Sequence, residues 1–288
     1  MLMVLTSAPT YVATRESLKV LSPQDLTPVR FLGAAVVLGI FLLFRRKRLA
    51  LTRRDVPRML LAGLLGYAGY GLLLNLGQAT VPAGTTSLLL NISPVFAFML
   101  GYLILKERTT RLGYVGILVA VAGVVIITLG DSSAVGFNGD AMYIVAAALV
   151  LSVFLIVQQP LFKGIPPVEV VFWGCVIGGL VTLPTATFNV DPTRFSPTSW
   201  AALFVLVVVS TAVAYAFWNI SLARTSVAEG GALLYVVPVI SLLLGWGLLA
   251  EVPTGASLIG GAAALAGVIL LSRSTPPASE MKELRLVP

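Results

Sequence analysis

Two prolines lie inside long apolar stretches of the sequence, each three residues after a side chain that could contact a small molecule. Pro94 follows Asn91, and Pro238 follows Tyr235. Because proline lacks an N–H and its ring displaces the carbonyl four residues back, each stretch should contain a kink and a freed carbonyl. Lipid cannot satisfy that carbonyl, so it should face protein or water. Each kink could therefore form half of a binding site. The alternative is that the kinks only shape the helices and Asn91 bonds locally.

Other polar and aromatic side chains within apolar stretches are few, and each is informative because its burial in lipid is costly. The predicted substrate-cavity residues are Tyr11, Tyr70, Asn91, Gln158, Trp173, Tyr215, Trp218 and Tyr235. Aromatic residues near the end of a membrane span are more often interfacial anchors, and Trp200 and Tyr102 fit that pattern. Asn75 and Asn219 are expected to cap helices or to bond to loops.

No acidic or basic residue is expected at the centre of a membrane span. Arg30 and Glu229 lie near predicted span ends, and so does Glu16, which is next to Arg15. A proton-driven exporter of cationic drugs needs an embedded carboxylate, for which Glu16 is a loose candidate. A phosphate carrier needs Lys or Arg in its cavity. A neutral or zwitterionic substrate such as an amino acid fits best, held by amides, hydroxyls and aromatic walls.

The groups typical of enzyme and metal sites are scarce. The chain has no histidine, and its single cysteine, Cys175, cannot form an intramolecular disulfide. We therefore expect no catalytic residue, no metal and no cofactor, and an integral membrane enzyme is disfavoured.

The composition is that of a membrane protein. Hydrophobic residues make up 58% and charged residues 11% of the chain, whereas soluble domains carry about 25% charged residues. Apolar runs of roughly 17–22 residues are long enough to cross a bilayer core. They predict an all-α membrane protein with ten transmembrane helices, at 1–19, 26–44, 57–76, 84–105, 112–130, 140–162, 167–188, 199–222, 228–249 and 255–272. The first is the weakest because it is short and contains Pro9. A cleaved signal peptide is the alternative, disfavoured because no basic segment precedes it.

Basic residues are concentrated in the predicted loop between the second and third spans. These are Arg45, Arg46, Lys47, Arg48, Arg53, Arg54 and Arg58. Such a cluster beside helix ends places the loop in the cytoplasm, which puts both termini on the same side. We predict a multi-pass protein of the bacterial inner (plasma) membrane. The net charge of +7 follows from this bias and from contact with anionic lipid headgroups, so no nucleic-acid partner is needed.

The sequence contains an internal repeat. At an offset of 144 positions the two halves align without a gap from Asn75 to about Thr128. The predicted division is a first repeat at 1–130, a linker at 131–139, a second repeat at 140–273 and a cytoplasmic tail at 274–288. With five spans in each half, the repeats should be inverted about an axis in the membrane plane. This arrangement favours alternating access; the alternative is a duplicated scaffold without transport.

The repeat carries a signature, Pro-x12-Glu-x8-Gly-x6-Gly, at the same spacing in both copies. Its residues are Pro94, Glu107, Gly116 and Gly123, then Pro238, Glu251, Gly260 and Gly267. On these motifs the whole chain resembles the EamA-type transporters of the drug/metabolite transporter superfamily, and within it the YddG-like bacterial amino-acid exporters. One departure is that the first span of that family usually carries Trp-Gly before a Ser. The stretch from Thr6 to Tyr11 lacks this pair, so no contact made by that Trp can be carried over.

The repeated glycines should let the fifth and tenth helices approach closely, because small residues at this spacing bring helix backbones together. The resemblance also suggests that these helices serve as a dimer or scaffold surface, so a monomer and a homodimer both stay open. The two repeated glutamates are expected to be interfacial carboxylates that are solvated or cap helices.

The resemblance implies a transporter that exports small neutral or amphipathic metabolites, with amino acids as the first expectation. The cavity should lie between helices 1–4 and 6–9, with Pro94 and Pro238 as hinges. Uncoupled facilitated transport is favoured because no titratable group is expected at the midplane. The alternatives are a proton-coupled drug or metabolite exporter and a lipid flippase.

Overall fold

The computed structural model describes residues 6–45, 49–105, 110–130, 139–224 and 236–274. In these ranges all regular secondary structure is helical. Eight of the described helical segments are long and apolar enough to cross a membrane. The chain is therefore an all-α membrane protein, as the composition predicts.

The helices of the first half are α1 to α5. They span Pro9–Ser17 (α1), Pro23–Phe44 (α2), Val56–Gln78 (α3), Ala83–Leu90 with Ser93–Leu105 (α4, in two pieces) and Arg111–Gly130 (α5). Proline lies in the first turn of α1, α2 and α3, where its missing N–H costs no intrahelical bond.

The helices of the second half are α6 to α10. They span Gly139–Gln158 (α6), Pro167–Thr182 (α7), Pro197–Phe204 to Ala214–Arg224 (α8), Val236–Leu249 (α9) and Gly255–Ser274 (α10). Short helices α1 and α9 correspond to the predicted spans 1–19 and 228–249, which extend into residues outside the description. The count of ten spans therefore stays a prediction.

Helix α1 is packed inside the bundle. Tyr11, Val12 and Ala13 are buried. The Gln78 amide donates to the Tyr11 carbonyl at 2.8 Å, and the Ser241 hydroxyl donates to the Ala8 carbonyl at 3.2 Å. This segment is thus packed as a structural part of the bundle.

Helix α4 is broken rather than kinked at its proline. The first piece ends at Leu90, and Pro94 is the second residue of the next piece, a position where proline removes no helical hydrogen bond. At the break, the Ser152 hydroxyl from α6 contacts the Ser93 carbonyl at 2.7 Å. The expectation that Pro94 lies mid-helix therefore needs correction. The residues before Val236 lie outside the description, so the same expectation for Pro238 stays a prediction.

Two π-helical segments occupy matching places in the two halves. Leu64–Gly69 lies within α3 and Val205–Val213 lies within α8. At the offset of 144, the first segment falls inside the second. In a π-segment the hydrogen bonds connect residues five apart rather than four, so each turn holds more residues than in an α-helix. Such segments are often found at functional sites.

Helices α5 and α10 cross at the four repeated glycines, a contact that we name the glycine seam. A Cβ added to Gly116 would lie 2.7 Å from the Gly267 carbonyl oxygen, and one added to Gly260 would lie 2.6 Å from the Gly123 carbonyl oxygen. The two backbones therefore touch, which only glycine permits at this distance. In this structure the glycines face a helix of the same chain.

Two buried carboxylates tie loops to the bundle, one in each half. Asp25 accepts backbone N–H bonds from Thr187 at 2.7 Å and from Phe188 at 3.0 Å. Glu169 accepts backbone N–H bonds from Ala50 at 2.8 Å and from Leu51 at 3.0 Å. Asp25 and Glu169 are separated by 144 positions. Asp25 of the first half therefore holds the loop between α7 and α8, and Glu169 of the second half holds the loop between α2 and α3.

A cavity between the two halves as the candidate functional site

A cavity of about 160 Å³ lies between helices of both halves. A single water needs about 10–15 Å³ by the same measure, so the space suits a small organic molecule. Its walls come from α1, α3, α4, α6, α8 and the start of α9. The lining residues are Ser7, Thr10, Tyr11, Gly66, Tyr70, Leu90, Asn91, Ser93, Pro94, Leu151, Phe154, Leu155, Ser210, Ala214, Tyr215, Trp218, Asn219 and Val237.

The structure brings five of the predicted cavity residues onto this one surface: Tyr11, Tyr70, Asn91, Tyr215 and Trp218. They come from four different helices and present four aromatic rings and one amide. Asn91 also donates from Nδ2 to the Ser87 carbonyl at 2.8 Å. Asn91 therefore makes a local bond and lies on the cavity wall, and its role in binding stays a prediction.

Two other predicted cavity residues lie elsewhere, and a third, Tyr235, is outside the described residues. Gln158 is fully buried at the end of α6 and does not line the cavity. Trp173 lies beside the Glu169 tether, where its Nε1 donates to the carboxylate at 3.4 Å and its ring packs on Phe172. Tyr235 lies outside the described residues, as does Glu107. Its neighbour Val237 does line the cavity.

Five polar residues on the cavity wall were not among the predicted set: Ser7, Thr10, Ser93, Ser210 and Asn219. Asn219 donates from Nδ2 to the Tyr215 carbonyl at 2.9 Å, and within the described chain its Oδ1 has no partner. The buried Ser210 hydroxyl also lacks a partner among the described residues. The sequence did hold a signal for Asn219, because the spacing of 215, 218 and 219 puts all three on one helical face. Its mate Asn75 is buried and donates to the Thr27 hydroxyl at 2.9 Å, so neither asparagine caps a helix end.

Arg30 is fully buried and lies two turns inside α2. The sequence instead predicts a position near the end of a span. Its Nε donates to the Thr211 hydroxyl at 2.8 Å, and its Nη2 donates to the Tyr215 hydroxyl at 3.4 Å. The guanidinium carbon lies 5.3 Å from the centre of the Phe31 ring. Its burial follows from the spacing 26, 30, 34 and 38, whose residues are all buried and form one face of α2.

Aromatic rings connect Arg30 to the core beside the cavity. Tyr67 packs edge-on against Phe31 and Phe154, both with ring centroids 5.6 Å away. Its ring also lies 5.8 Å from that of Tyr215. Tyr70 and Tyr215 both line the cavity. Tyr215 therefore contacts the cavity on one side and the buried arginine on the other.

An ion pair closes the bundle at the ends of α1 and α9. Arg15 Nε lies 3.1 Å from Glu251 Oε1, and both side chains are largely buried. Arg15 also donates to the carbonyls of Gln78 and Ala79, while Glu251 Oε2 accepts the Ala83 N–H at 2.8 Å. We name these contacts the Arg15–Glu251 clasp. Glu251 thus caps the start of α4, in line with one of the roles expected for it.

No carboxylate lines the cavity among the residues that the structure describes. Glu16, the loose candidate for proton coupling, forms a 2.5 Å ion pair with Lys19 at the end of α1. In the same described ranges, no group of three His, Cys, Asp or Glu side chains could hold a metal ion.

Comparison with known proteins places this architecture in a family. The model of the EamA-like transporter family matches residues 1–129 and again residues 140–273. A probable terminal-alkyne amino-acid exporter of Streptantibioticus cattleyicolor is 34% identical over 278 residues, covering 95% of this chain and 92% of that protein.

Other relatives cover similar shares. The pseudopaline exporter CntI of Pseudomonas aeruginosa is 29% identical and covers 85% of each chain. The uncharacterized transporter YdfC of Bacillus subtilis is 30% identical over 93% of this chain and 87% of its own. A crystal structure with 21% identity matches all of this chain and 96% of its own at a TM-score of 0.69, which supports the fold. Two family matches that together span almost the whole sequence show that the chain belongs to the EamA-like transporter family.

Proposed function

We propose that this protein exports small zwitterionic metabolites, with amino acids as the first substrate class, through the cavity between its two halves. The observation that carries the proposal is the cavity wall itself. It combines the rings of Tyr11, Tyr70, Tyr215 and Trp218 with polar atoms of Ser210 and Asn219 that lack partners in the described chain. Aromatic walls suit an apolar side chain and an ammonium group.

The unpartnered oxygens suit the charged end of an amino acid. A buried polar atom without a hydrogen bond is costly to fold, so a substrate that supplies a partner to Ser210 or Asn219 would be stabilised. Asn219 Oδ1 and the Ser210 hydroxyl can each accept a bond from an ammonium group. Two relatives whose names specify export of an amino acid and of pseudopaline support a small polar organic substrate.

Alternating access is supported by where the cavity and the clasp lie. The cavity residues of α1 precede Arg15 in the sequence, and those of α4 follow Ala83 by about two turns. The Arg15–Glu251 clasp therefore closes one end of the pathway. By the distribution of basic residues, this end faces the outside and both termini lie in the cytoplasm. Opening the clasp would release substrate outward.

An inverted repeat of five helices in each half is part of this proposal, at residues 1–130 and 140–273. Support comes from the matched π-segments and from the Asp25 and Glu169 tethers, which recur at the offset of 144. In such transporters the two halves rock around a site at their interface. The break beside Pro94 and its repeat mate, Pro238, are the proposed hinges.

Transport without ion coupling is favoured by the lack of a carboxylate on the described cavity wall. The protein would then act in the bacterial inner membrane as a facilitator that runs down the substrate gradient. A mass measurement in detergent would show whether the working unit contains one chain or two.

Counterflow into proteoliposomes tests the proposal. Vesicles loaded with one amino acid should take up the same labelled amino acid faster than protein-free vesicles. The panel should contain the twenty common amino acids and propargylglycine, a terminal-alkyne amino acid. The proposal is overturned if none of them exchanges while the purified protein remains folded.

A further inference from the structure

The buried Arg30 is a cation without a carboxylate among the described residues. The ion pairs of the described chain are Arg15–Glu251 and Lys19–Glu16. Of the five N–H groups of a guanidinium, Arg30 uses those directed at Thr211 and Tyr215, and its Nη1 has no partner in the described chain. Removing a charge from water without an opposite charge is unfavourable, and an ionisable group inside a membrane bundle usually marks a functional site.

The arginine lies directly behind the cavity wall. Tyr215 accepts its hydrogen bond and also lines the cavity. Because the Tyr215 oxygen accepts from Arg30, the Tyr215 hydroxyl can donate its own proton to an acceptor in the cavity. A positive charge behind a hydroxyl strengthens that hydroxyl as a donor to an anion, and the low dielectric inside the bundle increases the effect.

The two halves differ at this position. The residue that corresponds to Arg30 at the offset of 144 is Gly174. A side chain at Gly174 would collide with the ring of Tyr67. The positive charge therefore comes from one half only, which gives the cavity a single electropositive wall.

We propose that Arg30, acting through the Tyr215 hydroxyl, makes the cavity select substrates that carry a free carboxylate. This rests on the proposed function, because it names the chemical group that the same cavity recognises. Arg30 is a positioning residue: it does not line the cavity, and it orients and polarises the hydroxyl that does. Asn219 and Ser210, on the same helix as Tyr215, would receive the ammonium group of the same molecule.

The test compares each transported amino acid with its carboxamide, which has the same shape and no negative charge. The probes are the twenty amino acids, propargylglycine and their amides, in counterflow with the purified full chain. The wild-type protein should transport the acid about tenfold or more faster than the amide, as a hydrogen bond to a charged group would give. In Arg30→Gln this ratio should fall towards one through a higher KM for the acid.

Matched variants separate this role from folding. Arg194→Gln removes an exposed arginine of the α7–α8 loop and should keep the wild-type ratio. Arg30→Lys keeps the charge and should retain part of the preference. Tyr215→Phe keeps the ring and should lower the ratio, even if Arg30→Gln does not fold.

The outcomes are distinguishable. Exchange of amino acids with equal rates for acid and amide in the wild-type protein overturns this inference and leaves the proposed function in place. An unchanged ratio in both Arg30→Gln and Tyr215→Phe does the same. No exchange of any probe by the wild-type protein overturns the proposed function as well.

Discussion

Arg15 and Glu251 are 236 positions apart in the sequence, yet their side chains form a 3.1 Å ion pair. Arg15 lies in the last turn of α1 in the first half, and Glu251 follows α9 in the second. Because the same two side chains also bind backbone groups of Gln78 and Ala83 between α3 and α4, they join three segments at one end of the bundle.

Breaking this pair should open that end. In Glu251→Gln, with Cys175→Ser and Thr10→Cys also introduced, a membrane-impermeant maleimide added outside should label the cavity cysteine at least about threefold faster. The reason is that a partly buried ion pair contributes on the order of 1 kcal/mol to the closed state. Glu16→Gln breaks only the pair with neighbouring Lys19 and should leave labelling unchanged. Equal labelling of both variants and the parent would show that the clasp does not hold the closed state.

The two carboxylate tethers should contribute to stability. Asp25→Ala and Glu169→Gln should each lower the free energy of unfolding by about 2 kcal/mol, because buried backbone N–H groups lose a charged acceptor. Thermal unfolding in detergent measures this. Asp191→Ala is the control, since that exposed carboxylate binds only Thr193, two residues away. If the three variants have the same unfolding temperature, the two tethers do not stabilise the fold more than the exposed Asp191 does.

The glycine seam should tolerate no side chain. Gly123→Ala places a Cβ about 2.5 Å from the Gly260 carbonyl oxygen, and overpacking of this kind costs about 1–3 kcal/mol. Gly247→Ala is a matched control in α9, because nothing lies within 4 Å of the added atom. Unfolding temperatures of the two variants should differ clearly; equal values would contradict a close backbone contact between α5 and α10.

Shortening side chains at the cavity should alter transport more than stability. Trp218→Ala and Asn91→Ala should each change the counterflow rate by about threefold or more, since an aromatic or amide contact to substrate contributes about 1 kcal/mol. Tyr143→Phe alters an exposed side chain of α6 and should behave as the wild type. Wild-type rates in both cavity variants, at normal stability, would remove the cavity from the transport pathway.

Much of the architecture is predictable from sequence because its signals are local. Apolar length predicts the membrane helices, and the repeat spacing predicts which glycines correspond. Tyr11, Tyr70 and Tyr215 were expected at a cavity because polar tips on aromatic rings are costly in lipid. All three line it in the structure.

What the sequence did not predict depends on packing between distant segments. Arg30 was assigned to a span end, yet α2 begins at Pro23 and α8 covers the arginine with Thr211 and Tyr215. The π-segments at 64–69 and 205–213 have no residue signature that separates them from an ordinary helix. The partner of Glu251 is in the other half of the chain, and no spacing rule connects the two.

The most direct test of the account is counterflow into proteoliposomes loaded with each of the twenty amino acids, with and without an imposed pH gradient. We predict uptake of at least one amino acid at a rate that ignores the pH gradient. Uptake that follows the gradient would contradict uncoupled transport and implicate a carboxylate such as Glu16. No exchange of any amino acid would contradict the assignment of substrate class.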